Sequence, residues 1–200
     1  MQIITEEVRT EFSEKKSRFI SILTSTLSQE EARLRIKAEW EQYPDATHIV
    51  YAFRVGKNGD LFGMSDDGEP HGTAGRPVFE VLKGSGITNV LLMVVRYFGG
   101  TKLGTGGLVK AYTRAAQEVL SACSTEELTE KISFSLEVPY QLHDQVLKTL
   151  HEEGAVIEDE QFATEVSVSG TLPAESADEL RRILRDLSSG HLDLKVTEDR

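Results

Sequence analysis

Ile87-Thr88-Asn89-Val90-Leu91-Leu92-Met93-Val94-Val95-Arg96-Tyr97-Phe98 runs directly into Gly99-Gly100-Thr101-Lys102-Leu103-Gly104-Thr105-Gly106-Gly107, and the fold can be read outward from this junction. The first part is apolar and β-branched, the composition of a strand buried on both faces of a sheet. Its most apolar core, Val90 to Val95, is far too short to cross a bilayer. The glycine-rich segment ends the strand. Beyond it Leu108, Ala111, Tyr112, Ala115, Ala116, Val119 and Leu120 mark one continuous apolar helix face.

Upstream, Ile3 to Phe12 reads as an extended segment, and Arg18 to Leu23 as its strand partner after the polar turn Ser13-Glu14-Lys15-Lys16. Ser28 and Glu31 have the spacing of a capping box. Ala32, Ile36, Trp40 and Tyr43 then recur at helical intervals until Pro44. His48 to Val55 reads as a strand, Gly56 to Asp60 as a turn, and Leu61 to Met64 as a short strand. After a long loop, Ser65 to Gly75, Arg76-Pro77 opens a short helix through Leu82.

Downstream, the polar stretch Ser124 to Glu130 reads as a linker. Ile132, Phe134, Leu136 and Val138 alternate as a strand, and Leu142, Val146, Leu147 and Leu150 mark a helix. Ala155 to Ile157 and Val166 to Leu172 read as strands around an acidic turn at Glu158 to Glu160. Ala177, Leu180, Ile183, Leu184 and Leu187 mark a second helix, with Leu192, Leu194 and Val196 as a last strand. This order, βαββαβ, is that of a ferredoxin-like sandwich. The expected fold class is therefore α+β in two domains, residues 1–123 and 131–200, joined by 124–130.

Charge divides at the same place. Residues 1–123 carry 15 Lys or Arg and 15 Asp or Glu, whereas residues 124–200 carry 7 basic and 18 acidic side chains, the whole net charge of −11. The acidic part is repelled by nucleic-acid backbone, while the neutral part is free to bind either sign. The single cysteine, Cys123, excludes an internal disulfide and fits a reducing compartment. The first twelve residues hold Glu6, Glu7 and Glu11, unlike a signal peptide, so the expected location is the cytoplasm, with no membrane partner.

Two loops carry the candidate chemistry. In Ser65 to Gly75, Asp66, Asp67, Glu69 and His71 could hold a divalent cation, although Asp and Gly most often only shape turns; Thr73 and Arg76 complete this motif loop. The expectation is no metal and no cofactor. The second loop leads into a helix start, where backbone N–H groups and the helix dipole favour an anion. Arg96, Gly99, Gly100, Thr101, Lys102, Gly104, Thr105, Gly106 and Gly107 are the candidate anion or RNA site, with Arg96 and Lys102 as counter-charges. The other reading of these glycines is close packing of strand and helix. Cys123 is expected as a packed thiol, and His48 as a core or loop-anchoring residue. His143 and His151 are expected to face solvent, and Arg181, Arg182 and Arg185 to form the solvated face of the last helix.

Ser65-Asp66-Asp67-Gly68-Glu69-Pro70-His71-Gly72-Thr73-Ala74-Gly75-Arg76-Pro77 and Val95-Arg96-Tyr97-Phe98-Gly99-Gly100-Thr101-Lys102-Leu103-Gly104 resemble the two hallmark segments of the IMPACT/YigZ family, as does Ala46 to Phe53 with His48 and Tyr51. The resemblance implies an amino-terminal α+β domain similar to the second domain of a small-subunit ribosomal protein. It also implies a carboxy-terminal domain similar to ferredoxin-like modules of elongation factor G. No catalytic residues carry over. The functional expectation is a non-enzymatic cytosolic regulator of translation that binds RNA, the ribosome or a translation-factor protein through its amino-terminal domain. The alternative is an enzyme acting on a phosphorylated small molecule, with the glycine-rich loop cradling phosphate and the acidic loop supplying a metal site or base.

Overall fold

The computed structural model describes residues 1–197, so the last three residues of the expected second domain lie outside the described residues. The chain is α+β and falls into two units, Met1–Leu128 and Thr129–Arg200. The first runs β1 (Gln2–Ile4), β2 (Val8–Glu14), β3 (Ser17–Ser25), α1 (Gln29–Gln42), β4 (His48–Val55), β5 (Leu61–Ser65), α2 (Gly75–Gly84), β6 (Val90–Tyr97), α3 (Thr105–Ala122) and β7 (Thr125–Glu127). Five of its strands form an antiparallel sheet in the order β2-β3-β6-β4-β5.

The apolar run forms the middle strand, β6, where both faces are covered along nearly the whole strand. Val90, Leu92 and Val94 pack with Val78 and Leu82 of α2 and Ala111, Tyr112 and Ala115 of α3. Leu91, Met93 and Val95 face the other way, into a layer with Ala32, Ile36 and Trp40 of α1. The two-residue period of a strand thus feeds one sequence run into two cores. Ser28 Oγ accepts the Glu31 N–H at 3.1 Å, and the Glu31 carboxylate accepts from Leu27 N–H, one residue before the capping-box position. Glu39, inside α1 and 2% exposed, lies 3.2 Å from Arg9 and 3.4 Å from Arg35, and this pairing ties the helix to β2.

Two expectations change. The segment Ile3 to Phe12 is two strands with different partners: β2 pairs with β3, whereas β1 pairs with β7. The expected linker Ser124 to Glu130 therefore contains a strand, with Gln2 opposite Glu127 and Ile4 opposite Thr125. All three β7 side chains are exposed, so no apolar pattern announces it.

The second unit contains β8 (Lys131–Val138), α4 (His143–Glu152), β9 (Val156–Phe162), β10 (Val166–Pro173), α5 (Ala177–Leu187) and β11 (Lys195–Thr197). Its antiparallel order β11-β8-β10-β9 is that of a ferredoxin-like sheet. Ile132, Phe134, Leu136 and Val138 face Val146 and Leu150 of α4 and Leu180 and Leu184 of α5. Glu158 to Glu160 lie within β9 rather than in a turn, because β9 is an edge strand on which charge blunts further pairing. One of those carboxylates holds His143, whose Nε2 is 2.8 Å from Glu160 and whose ring meets Phe162 edge-on. His143 is therefore half-buried, contrary to expectation, while His151 is exposed. Leu192 and Leu194 are buried ahead of β11 rather than within it.

Candidate functional site

The loop after β5 is folded around its own carboxylates. Asp66 accepts backbone N–H bonds from Gly72 and Gly75 at 2.8 Å each and from Ala74 at 3.1 Å. Burial works against its charge, but these three donors outweigh that and hold its pKa below the usual carboxylate range. Asp67 sits at φ +44°, and its Oδ2 accepts the Ile49 N–H at 2.6 Å. Here burial wins and the pKa is raised. The Asp67 carbonyl accepts from His48 Nδ1 at 2.7 Å, so this nitrogen carries the proton and His48 anchors the loop.

Glu69 turns inward instead. Its carboxylate accepts from the Arg96 guanidinium and from the Tyr112 hydroxyl, the latter at 2.8 Å, with His48 Nε2 at 3.9 Å. Burial, then the adjacent Glu69, push the Tyr112 pKa far up, so the hydroxyl stays a donor. Asp66, Asp67 and Glu69 are thus committed to separate partners. Among the described residues no three His, Cys, Asp or Glu converge as a metal site. Thr73 donates its hydroxyl to the Pro70 carbonyl at 2.6 Å, while His71 is exposed and the exposed Arg76 lies 3.8 Å from Glu80.

In the second loop, Gly99 lies so close to the Lys16–Ser17 backbone that a Cβ would collide with the Lys16 carbonyl. Ser17 Oγ accepts the Gly99 N–H at 3.2 Å. Gly100 and Gly104 take φ of +83° and +76°, conformations that favour glycine. Gly106 is different: its φ is not left-handed, and a Cβ there would meet nothing within 4 Å. The α3 start has no side-chain cap and no acidic residue in its first turn. It opens on a cleft of about 430 Å³ walled by His48, Glu69, Arg96, Phe98, Lys102 and Thr105, so the two loops do meet.

Arg96 needs correction as a counter-charge. Its side chain is 5% exposed, and its charge is matched by Glu69. Thr101 and Lys102 are exposed, and among the described residues Lys102 has no ion-pair partner, so the uncompensated charge at the cleft is Lys102. Three participants escaped the sequence reading. Ser17 lies in a hairpin, Phe98 read as the end of a strand, and Tyr112 read as part of an apolar face. Only the polar tip of Tyr112 hinted at a partner, since a buried tyrosine hydroxyl usually finds one. Cys123 is half-buried, donates to the Leu120 carbonyl at 3.1 Å, and has its thiol pKa raised by burial.

Residues 15–120, which contain both loops and the cleft, match the Impact N-terminal domain. The chain belongs to the IMPACT family. Residues 136–191 match a domain of unknown function, DUF1949. The IMPACT family member YigZ of Escherichia coli K12 is 36% identical over 187 residues, 92% of either chain. The IMPACT family member YvyE of Bacillus subtilis is 30% identical over 184 residues, 92% of this chain and 85% of its own. A solved structure described as a hypothetical protein superposes with a TM-score of 0.69 at 34% identity, covering 100% of this chain and 98% of its own. The IMPACT cleft in this chain is thus built by residues inside the matched domain.

Proposed function

We propose that the first unit binds a phosphate-bearing ligand, RNA of the translation apparatus, at the start of α3, and that the chain acts as a non-enzymatic cytoplasmic regulator of translation. One observation carries this reading: an 18-residue helix begins uncapped, without an acidic first-turn residue, at a cleft that also holds Lys102. Its first N–H groups lack intrahelical acceptors, and the positive end of the helix dipole adds to their pull on an anion. Membership of the IMPACT family supports a translation partner over a metabolite. Among the described residues no helix is long and apolar enough to cross a membrane.

Ribosome co-sedimentation from lysate across a salt series tests this. The chain should pellet with ribosomes at low salt and be released as salt rises, because phosphate contacts displace counterions. No pelleting at low salt, or pelleting indifferent to salt, would overturn it.

A second reading, an enzyme acting on a phosphorylated small molecule, draws support from His48. Its Nδ1–H is held by the Asp67 carbonyl, which leaves Nε2 as the basic nitrogen at the cleft wall. Turnover of a phosphorylated metabolite that disappears in His48→Gln would favour this reading.

A further inference from the structure

Around the helix from the Lys102 cleft lies a second groove of about 450 Å³, lined by Lys15, Gly106, Gly107, Lys110 and Arg114, with Glu14 as its carboxylate. We infer that this groove is a second phosphate subsite, and that the ligand is a single-stranded RNA that crosses the start of α3 from one groove to the other. The inference rests on the reading of the cleft as a phosphate site and specifies its ligand.

Charge is the first support. Three cations face one carboxylate in a unit whose residues 1–123 balance overall at 15 and 15. Lys15 and Lys110 are exposed and have no ion-pair partner among the described residues. Arg114 is held in place, with Nε donating to Glu118 at 2.7 Å and its guanidinium 4.3 Å from the centre of the Phe12 ring.

Gly106 is the second. A glycine inside a helix costs stability, and neither its φ nor its surroundings require one here. What it does provide is a bare helix edge between the two grooves, over which a ligand backbone can pass closely. Leu103 lines both grooves at that crossing. A helix is about 10–12 Å across with its side chains, so a single phosphate cannot serve both sides.

Phe98 decides the strandedness. It is 45% exposed at the cleft wall, with the Arg96 guanidinium 5.6 Å from its ring centre. An exposed ring beside phosphate donors is a platform for an unpaired base, whereas a duplex keeps its base faces stacked.

Fluorescence anisotropy with labelled oligouridylates, a trinucleotide and a dodecanucleotide, tests this on the full chain. The dodecamer should bind roughly tenfold or more tightly than the trimer, with a steeper salt dependence. Lys15→Gln with Lys110→Gln should remove that advantage and leave the trimer unchanged, and Lys15→Arg with Lys110→Arg should restore it. Gly106→Leu should also lose the advantage while melting no lower than the parent chain. Phe98→Ala should weaken the single strand, and a duplex of equal length should compete poorly. Equal binding of trimer and dodecamer, both unaffected by the lysine pair, would overturn the second subsite and leave the Lys102 cleft standing. Effective competition by the duplex would overturn the single-strand assignment. Failure of both oligomers to bind at low salt would remove the cleft reading with it.

Discussion

Arg96 on the central strand and Glu69 in the loop after β5 are bonded to each other inside the first unit, with side chains 5% and 3% exposed. Tyr112 of α3 donates to the same carboxylate, so strand, loop and helix meet at one oxygen, Glu69 Oε1. Removing one partner of such a pair leaves a buried charge uncompensated, at a cost of about 3–5 kcal/mol. Glu69→Ala and Arg96→Ala should each lose about that much in urea denaturation. Glu69→Ala combined with Arg96→Ala should lose clearly less than the two single costs added together. Additive losses would show that the two side chains are not coupled.

Asp66 gives the loop a pH signature. Its folded pKa lies below the usual carboxylate range, so it stabilises the fold above its unfolded pKa, and that contribution is lost as pH falls through the folded value. Asp67, raised by burial, has the opposite sign: it favours the fold when protonated, and that contribution is lost as pH rises through its folded value. Asp66→Asn should cost about 1 kcal/mol at neutral pH, because a neutral amide replaces the charged acceptor of three backbone N–H groups. Melting curves of the variant and the parent should converge as pH falls below the carboxylate range. A constant gap at all pH values would contradict the role given to its charge.

The glycines of the second loop should separate by mechanism. Gly104→Ala forces an ordinary residue to φ +76° and should cost about 1–2 kcal/mol. Gly106→Ala, with open space and no left-handed φ, should be neutral or stabilise by up to about 1 kcal/mol. Thermal melts of the two variants should therefore move in different directions. A matching loss at both sites would mean that Gly106 also serves the fold.

The parts of this architecture that were legible in the sequence were those written in local patterns. β8 and β10 bury alternate residues, and α3 and α5 carry their apolar faces at helical spacing, so the ferredoxin-like order and the central strand–helix junction could be read directly. The convergence of the two loops depends on pairings between distant segments. Glu69, Arg96 and Tyr112 belong to three different elements, and no local pattern joins them. Charge also misled where the fold uses it structurally, in the edge strand β9 and in Arg96, whose guanidinium is a packing element rather than a free cation. β1 and β7, three residues each from opposite ends of the unit, carry too little pattern to be seen.

That last pairing yields a prediction about boundaries. A fragment ending at Leu128 keeps β7 against β1, including the bond from Leu128 N–H to the Met1 carbonyl at 2.9 Å. A fragment ending at Cys123 loses all of it. Both should fold around the five-stranded sheet, but residues 1–123 should melt lower than residues 1–128. Hydrogen exchange should show Thr5, whose N–H donates to the Ser124 carbonyl at 3.2 Å, unprotected only in the shorter fragment, while Gln2 keeps its bond to the Gly86 carbonyl in both. Equal melting and equal protection would place the boundary at Cys123 after all.

Lys102 and Arg96 should part company in binding. Lys102 is exposed at the cleft and unpaired among the described residues, whereas the charge of Arg96 is matched by Glu69. If phosphate is held at the α3 start, Lys102→Ala should weaken RNA or ribosome binding without moving the melting temperature. The slope of log affinity against log salt should flatten by about 0.7–0.9, the value of one phosphate contact. Arg96→Ala should act mainly through unfolding, so the fraction that remains folded should bind with nearly the parent slope. The decisive measurement is therefore the slope for each variant at a temperature where both are folded. A flattened slope for Arg96→Ala with an intact one for Lys102→Ala would reverse the assignment and make the buried guanidinium the group that meets phosphate.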